Sequence, residues 1–283
     1  MKVVETTNQI REAVKAMQFE GKKVAFVPTM GALHNGHLSL FRLAKKYADE
    51  VVVSIYVNPE QFGPNEDFGN YPRTLERDLE FCKQEGIAFV FTPSDEIMYG
   101  KGKKFLSIEI DELNTYLDGG SRPGYFQGIA LVVNKLFNIV EPDLAVFGQK
   151  DYQQFQIINQ MVKEFNHNLK LVMAPIERAD DGLALSSRNA YLSVKERLLA
   201  PEMYHIMQFI VTKIQDGLVE PNSLLIQQQQ ELEARGFKND YLNVFSIDKM
   251  APISHLEKGR TYLIAGAVYL GKTRLIDNII FEC

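Results

Sequence analysis

Short apolar runs alternate with helical periodicity through the first 175 residues of the chain. The runs are rich in β-branched and aromatic residues, which favours strands buried on both faces, as in a parallel sheet. They cover residues 23–28, 51–57, 88–91, 144–147 and 169–173. Amphipathic helical patterns lie between them, at residues 38–48, 74–84, 129–139 and 152–164. This alternation with short links predicts an α/β fold built on a doubly wound parallel sheet.

The pattern changes after about residue 177. Two helical patterns come first, at residues 194–216 and 222–235, and three short strand patterns follow, at residues 241–247, 262–268 and 274–279. Helices followed by strands are typical of a separate α+β domain. We therefore predict two domains, residues 1–176 and residues 177–283, of which the smaller C-terminal domain is α+β.

Composition narrows the class of protein without naming a function. The chain has 283 residues, of which 46% are hydrophobic and 24% charged, and this excludes disordered, collagen-like and coiled-coil classes. No apolar run approaches the roughly 20 residues of a membrane span, and the N-terminus MKVVE lacks the apolar core of a signal peptide. Two cysteines, Cys82 and Cys283, are too few for a disulfide framework. We therefore expect a cytoplasmic protein without a membrane partner.

The net charge argues against a nucleic-acid partner but is compatible with a local phosphate site. The 31 basic and 36 acidic residues give a net charge of −5, which argues against extensive nucleic-acid binding. We therefore predict no nucleic-acid partner. A local site for a phosphate group is compatible with this average, because a few donors at one place suffice for it.

Two histidines follow the first predicted strand, in the segment FVPTMGALHNGHLSLF at residues 26–41. The strand pattern ends at Pro28, a glycine-containing turn follows, and a helix is predicted to open near Gly36. In open parallel sheets, ligands bind beyond the carboxyl ends of the strands, where helix N-termini present unpaired N–H groups. His34 and His37 are three residues apart, so a helical first turn points both imidazoles the same way. Such a pair beside backbone amides suits the stabilisation of charge on a phosphate.

Two structural alternatives apply to this histidine pair. A bare HxxH sequence is more often structural, with His34 capping the helix and His37 packing in the turn. A zinc site is a second alternative, but the segment lacks the glutamate of the HExxH motif. The glycines Gly31 and Gly36 and the preceding apolar strand favour a nucleotide-binding turn.

The segment VNPEQFGPNEDF, at residues 57–68, places polar groups at the end of the second strand. Asn58 and Gln61 are uncharged and suit direct hydrogen bonds to a small polar ligand. The alternative is an ordinary Asn-Pro turn.

The segment FGQKDYQQ, at residues 147–154, follows a later strand. Gly148 permits close approach of a ligand to the backbone, and Lys150 brings a positive charge to a helix start, which suits a phosphate. A solvated lysine beside an N-capping Asp151 is the alternative.

Two loops complete the set of candidate segments. DGLALSSRN, at residues 181–189, combines two hydroxyls with an arginine, which suits a clamp for terminal phosphates or, alternatively, a turn with a helix cap. GGSRPGYFQG, at residues 119–128, has the glycine-rich composition typical of loops that gate sites.

These segments, in this order, resemble the signatures of the pantoate–β-alanine ligase family, which belongs to the nucleotidylyltransferase superfamily. The matches are PTMGALHNGH, VNPEQFGPNEDF, FGQKDYQQ and SSRN, with YPRT at residues 71–74 and YLGKTRLIDN at residues 269–278 in support. The resemblance implies a Rossmann-like nucleotide-binding domain at residues 1–176, whose HxGH turn binds ATP, and a lid domain at residues 177–283. The sequence departs from the family at Tyr125, where histidine is common, and at Leu185, where methionine is common.

The resemblance also implies roles for individual residues. His34, His37 and Lys150 would be catalytic. Gln61 and Gln154 would bind pantoate, and Gln61 would also line the β-alanine position. Apart from the resemblance, we expect Asp78 to be the acidic residue that contacts Mg²⁺. The residues implied in ATP binding are Met30, Gly31, Ala32, Leu33, His34, Asn35, Gly36, His37, Gly148, Gln149, Lys150, Asp151, Glu177, Leu185, Ser186, Ser187 and Arg188.

The activity that the resemblance implies is ATP-dependent condensation of (R)-pantoate with β-alanine. Pantoyl-adenylate would be the intermediate, AMP and pyrophosphate the by-products, Mg²⁺ the metal and a homodimer the assembly. Two rival functions remain, of which the first would use the same HxGH turn and the second would merely retain the fold. One is a nucleotidylyltransferase that joins a nucleotide to a phosphate ester, and the other is a non-catalytic nucleotide-binding module.

Overall fold

The computed structural model describes residues 1–64, 66–102 and 105–283 of the chain, which forms two compact units. The first unit comprises Met1–Ile110, Arg122–Gln149 and Gln154–Pro175. The second unit comprises Asp111–Ser121, Lys150–Gln153 and Ile176–Cys283. Within the described residues, every helix is too short or too polar to cross a membrane.

The first unit is built on a six-stranded parallel sheet. Its strands are β1 (Lys2–Val4), β2 (Val24–Thr29), β3 (Glu50–Ile55), β4 (Phe89–Phe91), β5 (Leu144–Gly148) and β6 (Lys170–Ala174), in the order β1-β4-β3-β2-β5-β6. Apart from the edge strand β1, this is the strand order of a doubly wound sheet, in which the winding direction reverses between β2 and β5. The predicted fold class is confirmed, and all five predicted strands of this region are present.

Helices cover both faces of this sheet. The helices of the first unit are α1 (Thr7–Phe19), α2 (Asn35–Ala44), α3 (Leu75–Gln84), α4 (Asp95–Tyr99), α6 (Tyr125–Val140) and most of α7 (Tyr152–Glu164). Ala25 and Val27 of β2 pack with Phe41 of α2 in one buried cluster. Phe26, between them, contacts Phe137 of α6, with ring centroids 6.5 Å apart. Because side chains alternate along a strand, the two contacts lie on opposite faces.

The second unit contains a three-stranded antiparallel sheet with helices beside it. Its elements are α5 (Leu117–Ser121), α8 (Val194–Leu199), α9 (Glu202–Gln215), α10 (Asn222–Ala234), β7 (Phe237–Ser246), β8 (Thr261–Leu270) and β9 (Thr273–Glu282). Met207 and Ile210 of α9 are fully buried in one cluster with Ile264 of β8. The predicted small α+β region is therefore present.

One predicted helix of the second unit is wrong in its extent. The pattern at residues 194–216 reads as one helix, whereas the chain forms α8 and α9 with a break at Ala200 and Pro201. Proline lacks the amide hydrogen and clashes with the preceding turn, so it ends α8 and tolerates only the start of α9.

Candidate active site

The turn after β2 has a backbone conformation that its residue types explain. Gly31 and Ala32 have φ angles of 81° and 49°, in the left-handed region. A Cβ atom at Gly31 would lie 3.0 Å from Asp78 Oδ2 and 3.1 Å from Ile55 Cγ2. Glycine is therefore required at position 31, both for its φ angle and because a side chain would collide with Asp78 and Ile55. The absence of a side chain lets the turn pack closely against α3.

Asp78, in the first turn of α3, holds this turn through its carboxylate. Its Oδ2 accepts a hydrogen bond from the Ala32 amide (2.9 Å), and its Oδ1 accepts one from the Leu33 amide (2.8 Å). The Thr74 hydroxyl donates a further bond to Oδ1 at 3.2 Å. The residue is only 1% exposed. This geometry favours a positioning role for Asp78, and the expected Mg²⁺ contact of Asp78 stays a prediction.

The two histidines lie where the turn becomes α2. His34 is the N-cap residue, and its Nδ1 accepts a hydrogen bond from the Gly36 amide at 3.1 Å. His37 Nδ1 accepts one from the His34 amide at 3.3 Å. The rings lie 4.3 Å apart between centroids, so the pair forms one compact cluster. The helix begins at Asn35, one residue before the expected start.

The capping geometry determines which hydrogen atoms the pair can offer. The Nδ1 atoms accept from backbone N–H groups, so the proton of each neutral imidazole is on Nε2. His34 caps the helix, as one alternative interpretation held, and the atom that it uses for this is Nδ1. Nε2 is therefore the atom of each ring from which a hydrogen bond to an anionic group would be donated.

The turn lies at the switch point of the sheet. β2 and β5 are neighbours, and the winding direction reverses between them. In doubly wound folds, ligands bind in the crevice outside the carboxyl ends of such strands. The paired histidines follow β2, Gly148 ends β5, and Gln149 begins the 3₁₀ turn after it. Gln154 lies further along, half-buried in α7.

The polar residues after β3 form a buried hydrogen-bonded turn. Asn58 is 1% exposed and Gln61 is 8% exposed, and the two belong to a 3₁₀ turn with its helical residues at Pro59–Gln61. Asn58 Nδ2 donates to Gln61 Oε1 at 3.1 Å. The same motif includes Asn65, which lies outside the described residues.

Arg122 and Glu66 form an ion pair that no motif in the sequence indicates. Arg122 Nε and Nη2 donate to the two carboxylate oxygens of Glu66, both at 2.7 Å. The Arg122 guanidinium also stacks on the Tyr125 ring, 3.3 Å from its centroid. A fork-to-fork pair of this kind fixes geometry as well as charge. No sequence spacing signals the pair, because its members are 56 positions apart.

The remaining predicted site residues lie in the second unit. Lys150 and Asp151 are in a 3₁₀ turn, and the backbone oxygen of Lys150 accepts a hydrogen bond from Asn278 Nδ2 at 3.0 Å. Further along, the Leu185 amide donates to the Glu177 carbonyl at 2.9 Å, which brings these two predicted residues together. Ser186 then caps the 3₁₀ turn Ser187–Tyr191 by accepting from the Arg188 amide.

A buried ion pair anchors this loop to β9. Arg178 Nη1 and Nη2 donate to the carboxylate of Asp277 at 2.5 and 2.8 Å. Burial raises the pKa of Asp277, and the Arg178 guanidinium opposes that rise. Arg178 directly follows Glu177 and precedes the Ser186–Arg188 turn in the sequence, so its ion pair with Asp277 joins this loop to β9.

The doubly wound sheet, with its capped histidine turn at the switch point, defines the first unit as a Rossmann-like α/β domain. Over residues 2–280, the sequence matches the family model described as pantoate-beta-alanine ligase. The chain belongs to the pantoate–β-alanine ligase family.

Individual relatives span nearly the whole chain. It is 45% identical over 280 residues to a pantothenate synthetase of Pseudomonas savastanoi pv. phaseolicola, covering 99% of this chain and 98% of that relative. The crystal structure of pantothenate synthetase from Thermus thermophilus is similar with a TM-score of 0.90 and 38% identity, covering 99% of both chains. Pantoate-beta-alanine ligase from Francisella tularensis, complexed with beta-gamma ATP and beta-alanine, has a TM-score of 0.82 and 35% identity, covering 99% of this chain and 97% of that one.

Proposed function

We propose that the protein condenses (R)-pantoate with β-alanine at the expense of ATP, forming pantothenate, AMP and pyrophosphate. The observation that carries the proposal is the capped pair of His34 and His37 at the switch point of the first unit. Membership of the pantoate–β-alanine ligase family supports the choice of substrates.

The first step activates the carboxylate of pantoate. A carboxylate oxygen attacks the α-phosphorus of ATP and forms a new O–P bond, while the bond from that phosphorus to the bridging oxygen of the β-phosphate breaks. Pyrophosphate leaves with the bond electrons, and pantoyl-adenylate remains. The chain needs no nucleophile of its own, because the substrate attacks. The Nε2–H groups of His34 and His37 stabilise the negative charge that grows on the phosphate oxygens.

The second step forms the amide. The neutral amine of β-alanine attacks the carbonyl carbon of the adenylate, and the bond from that carbon to the bridging oxygen breaks. AMP leaves with the oxygen, and the new amide nitrogen releases a proton. Positioning is the main contribution of the protein here, since both reactants are already activated or nucleophilic. We assign that positioning to Gln61 for both substrates and to Gln154 for pantoate.

Charge on the triphosphate needs cations as well as neutral donors. We assign Lys150, Ser186, Ser187 and Arg188 to the phosphates of ATP on the basis of the family resemblance. Within the described residues, no three His, Cys, Asp or Glu side chains are grouped to hold a metal. Mg²⁺ in ATP-using enzymes is held largely by the phosphates and water, so this donor set fits an ion that arrives with ATP. When bound, Mg²⁺ supplies charge neutralisation on the phosphate oxygens.

An omission assay tests the proposal. The protein is incubated with ATP, Mg²⁺, (R)-pantoate and β-alanine, and AMP, pyrophosphate and pantothenate are measured while each component is left out in turn. We expect pyrophosphate release to need pantoate, and pantothenate to need all components. Pyrophosphate release with a phosphate ester in place of pantoate would favour the rival nucleotidylyltransferase, and no turnover would favour the non-catalytic module.

The family resemblance also leads us to propose a homodimer that works in the cytoplasm. Light scattering on the purified protein would measure the assembly, with a mass near twice 32.2 kDa expected.

A further inference from the structure

The buried turn after β3 contains hydrogen bonds that can run in only one direction. The Glu60 backbone amide is a donor, and it bonds to Asn58 Oδ1 at 3.2 Å. The Gly128 carbonyl is an acceptor, and it receives a bond from Asn58 Nδ2 at 3.2 Å. Because one neighbour only donates and the other only accepts, the orientation of the Asn58 amide is determined.

The orientation of Gln61 follows from that of Asn58. Asn58 Nδ2 is a donor and lies 3.1 Å from the Gln61 side chain, so the facing atom is the oxygen Oε1. The Nε2 amino group of Gln61 then occupies the other terminal position of the planar amide, the one that does not bond to Asn58. Gln61 therefore offers N–H donors to a ligand and recognises an acceptor, such as a carboxylate or hydroxyl oxygen.

Tyr99, the last residue of α4, completes this relay. Its hydroxyl donates to Asn58 Oδ1 at 2.6 Å, since an amide oxygen can only accept. Burial raises the pKa of the Tyr99 hydroxyl, and Asp95 adds to the rise, so the donor hydrogen is retained at neutral pH. Asn58 Oδ1 thus receives two donors, and the short bond from Tyr99 prevents the amide from turning.

Close packing of α6 makes the relay possible. A Cβ atom at Gly128 would lie 2.0 Å from the Glu60 carbonyl oxygen and 2.4 Å from its carbon. Only a glycine lets the helix backbone touch the turn, and this contact delivers the Gly128 carbonyl to Asn58. Every member of the relay belongs to the first unit.

We propose that Tyr99 is a positioning residue that acts through Asn58 to hold the Gln61 amide with its donor side toward pantoate. The inference rests on the proposed function, because pantoate is the ligand to which it assigns that donor. It gives the Gln61 amide a defined donor side, and it gives the part-buried Tyr99 an effect on what Gln61 holds and none on ATP.

The test compares two neighbouring tyrosines of the first unit. Tyr56 and Tyr99 have ring centroids 6.5 Å apart, but the Tyr56 hydroxyl donates to Asp95 instead of Asn58. Tyr99→Phe and Tyr56→Phe each delete one hydroxyl, so Tyr56→Phe is the matched control. The readouts are the KM for pantoate and the KM for ATP in pyrophosphate release, together with thermal unfolding.

We expect Tyr99→Phe to raise the KM for pantoate about five- to tenfold, the effect of losing one hydrogen bond, with the KM for ATP within twofold of wild type. Tyr56→Phe should leave both KM values within twofold. In a Gln61→Ala background, Tyr99→Phe should raise the pantoate KM no further, because the relay then has no end group to hold.

Three results would overturn the inference while pantoate-dependent turnover persists in the wild type. They are an unchanged pantoate KM in Tyr99→Phe, an equal rise in Tyr56→Phe, or a full additive rise on top of Gln61→Ala. A wild-type protein that releases no pyrophosphate with pantoate would overturn the proposed function itself, and this inference with it. The assay of the wild-type protein therefore distinguishes failure of the proposed function from failure of this inference alone.

Discussion

Replacing Asp78 with asparagine separates a structural role of this carboxylate from a metal-binding role. Asp78→Asn keeps the size and one oxygen, but it puts an amino group where Oδ1 or Oδ2 now accepts a backbone amide of the turn. The backbone N–H group of Ala32 or Leu33 would then face another donor. Because Asp78 is only 1% exposed, water cannot replace the lost acceptor. The variant perturbs the histidine turn without touching either histidine.

The size of the effect follows from the bonds that are lost. A hydrogen bond to a charged acceptor contributes about 1.5–3 kcal/mol, and a buried donor left without an acceptor adds a desolvation cost of similar size. We expect Asp78→Asn to lower the free energy of unfolding by about 2–4 kcal/mol. For a unit of this size, that loss corresponds to a Tm roughly 5–15 °C lower. Below the transition, the loosened turn should raise the KM for ATP about tenfold.

Calorimetry and steady-state pyrophosphate release measure the two effects. Asp143→Asn is the control, because Asp143 Oδ2 accepts the Val24 amide (2.8 Å) at the opposite end of β2. That variant should lose some stability and keep the KM for ATP. Wild-type stability in Asp78→Asn, combined with a higher requirement for Mg²⁺, would refute the positioning role and support the predicted metal contact.

Three further predictions test other parts of the account. His37→Ala should lower pyrophosphate release at least about 100-fold with unchanged circular dichroism; near-wild-type turnover would contradict its assignment. Gln61→Ala should weaken pantoate binding in calorimetry and spare ATP, and equal weakening of both would argue against it. Burial lowers the pKa of His167, so the unfolded chain binds its proton first and stability falls as pH drops below about 6.5. His167→Gln should flatten that fall in urea unfolding at pH 7.5 and 5.5, and an unchanged slope would exclude His167 as its cause.

The central strands β2, β3 and β5 could be predicted because they are buried along most of their length and leave nearly continuous apolar runs. The edge strand β1, only three residues long, leaves no such run. The break between α8 and α9 was visible as Pro201, but the apolar periodicity continues across it and conceals the interruption.

The motifs predict which residues form the candidate site, but they do not predict its internal geometry. The order of the motifs along the chain predicts His34, His37 and Gln61 as site residues. The bonds that orient them come from partners far away in the chain, such as Asp78, which lies 46 positions from Ala32. No local spacing reports such contacts, because they depend on how α3 and α4 pack beside the sheet. The direction of the Gln61 amide likewise needed the neighbouring donors and acceptors.

An isotope experiment tests the central claim, that pantoate is activated by attack of its carboxylate on the α-phosphate of ATP. Pantoate labelled with ¹⁸O in both carboxylate oxygens is converted in unlabelled water, and the ¹⁸O content of AMP, pyrophosphate and pantothenate is measured by mass spectrometry. The account predicts one ¹⁸O atom in each AMP, one ¹⁸O left in the amide carbonyl of pantothenate, and none in pyrophosphate. Label in pyrophosphate or inorganic phosphate, or AMP without label, would contradict it.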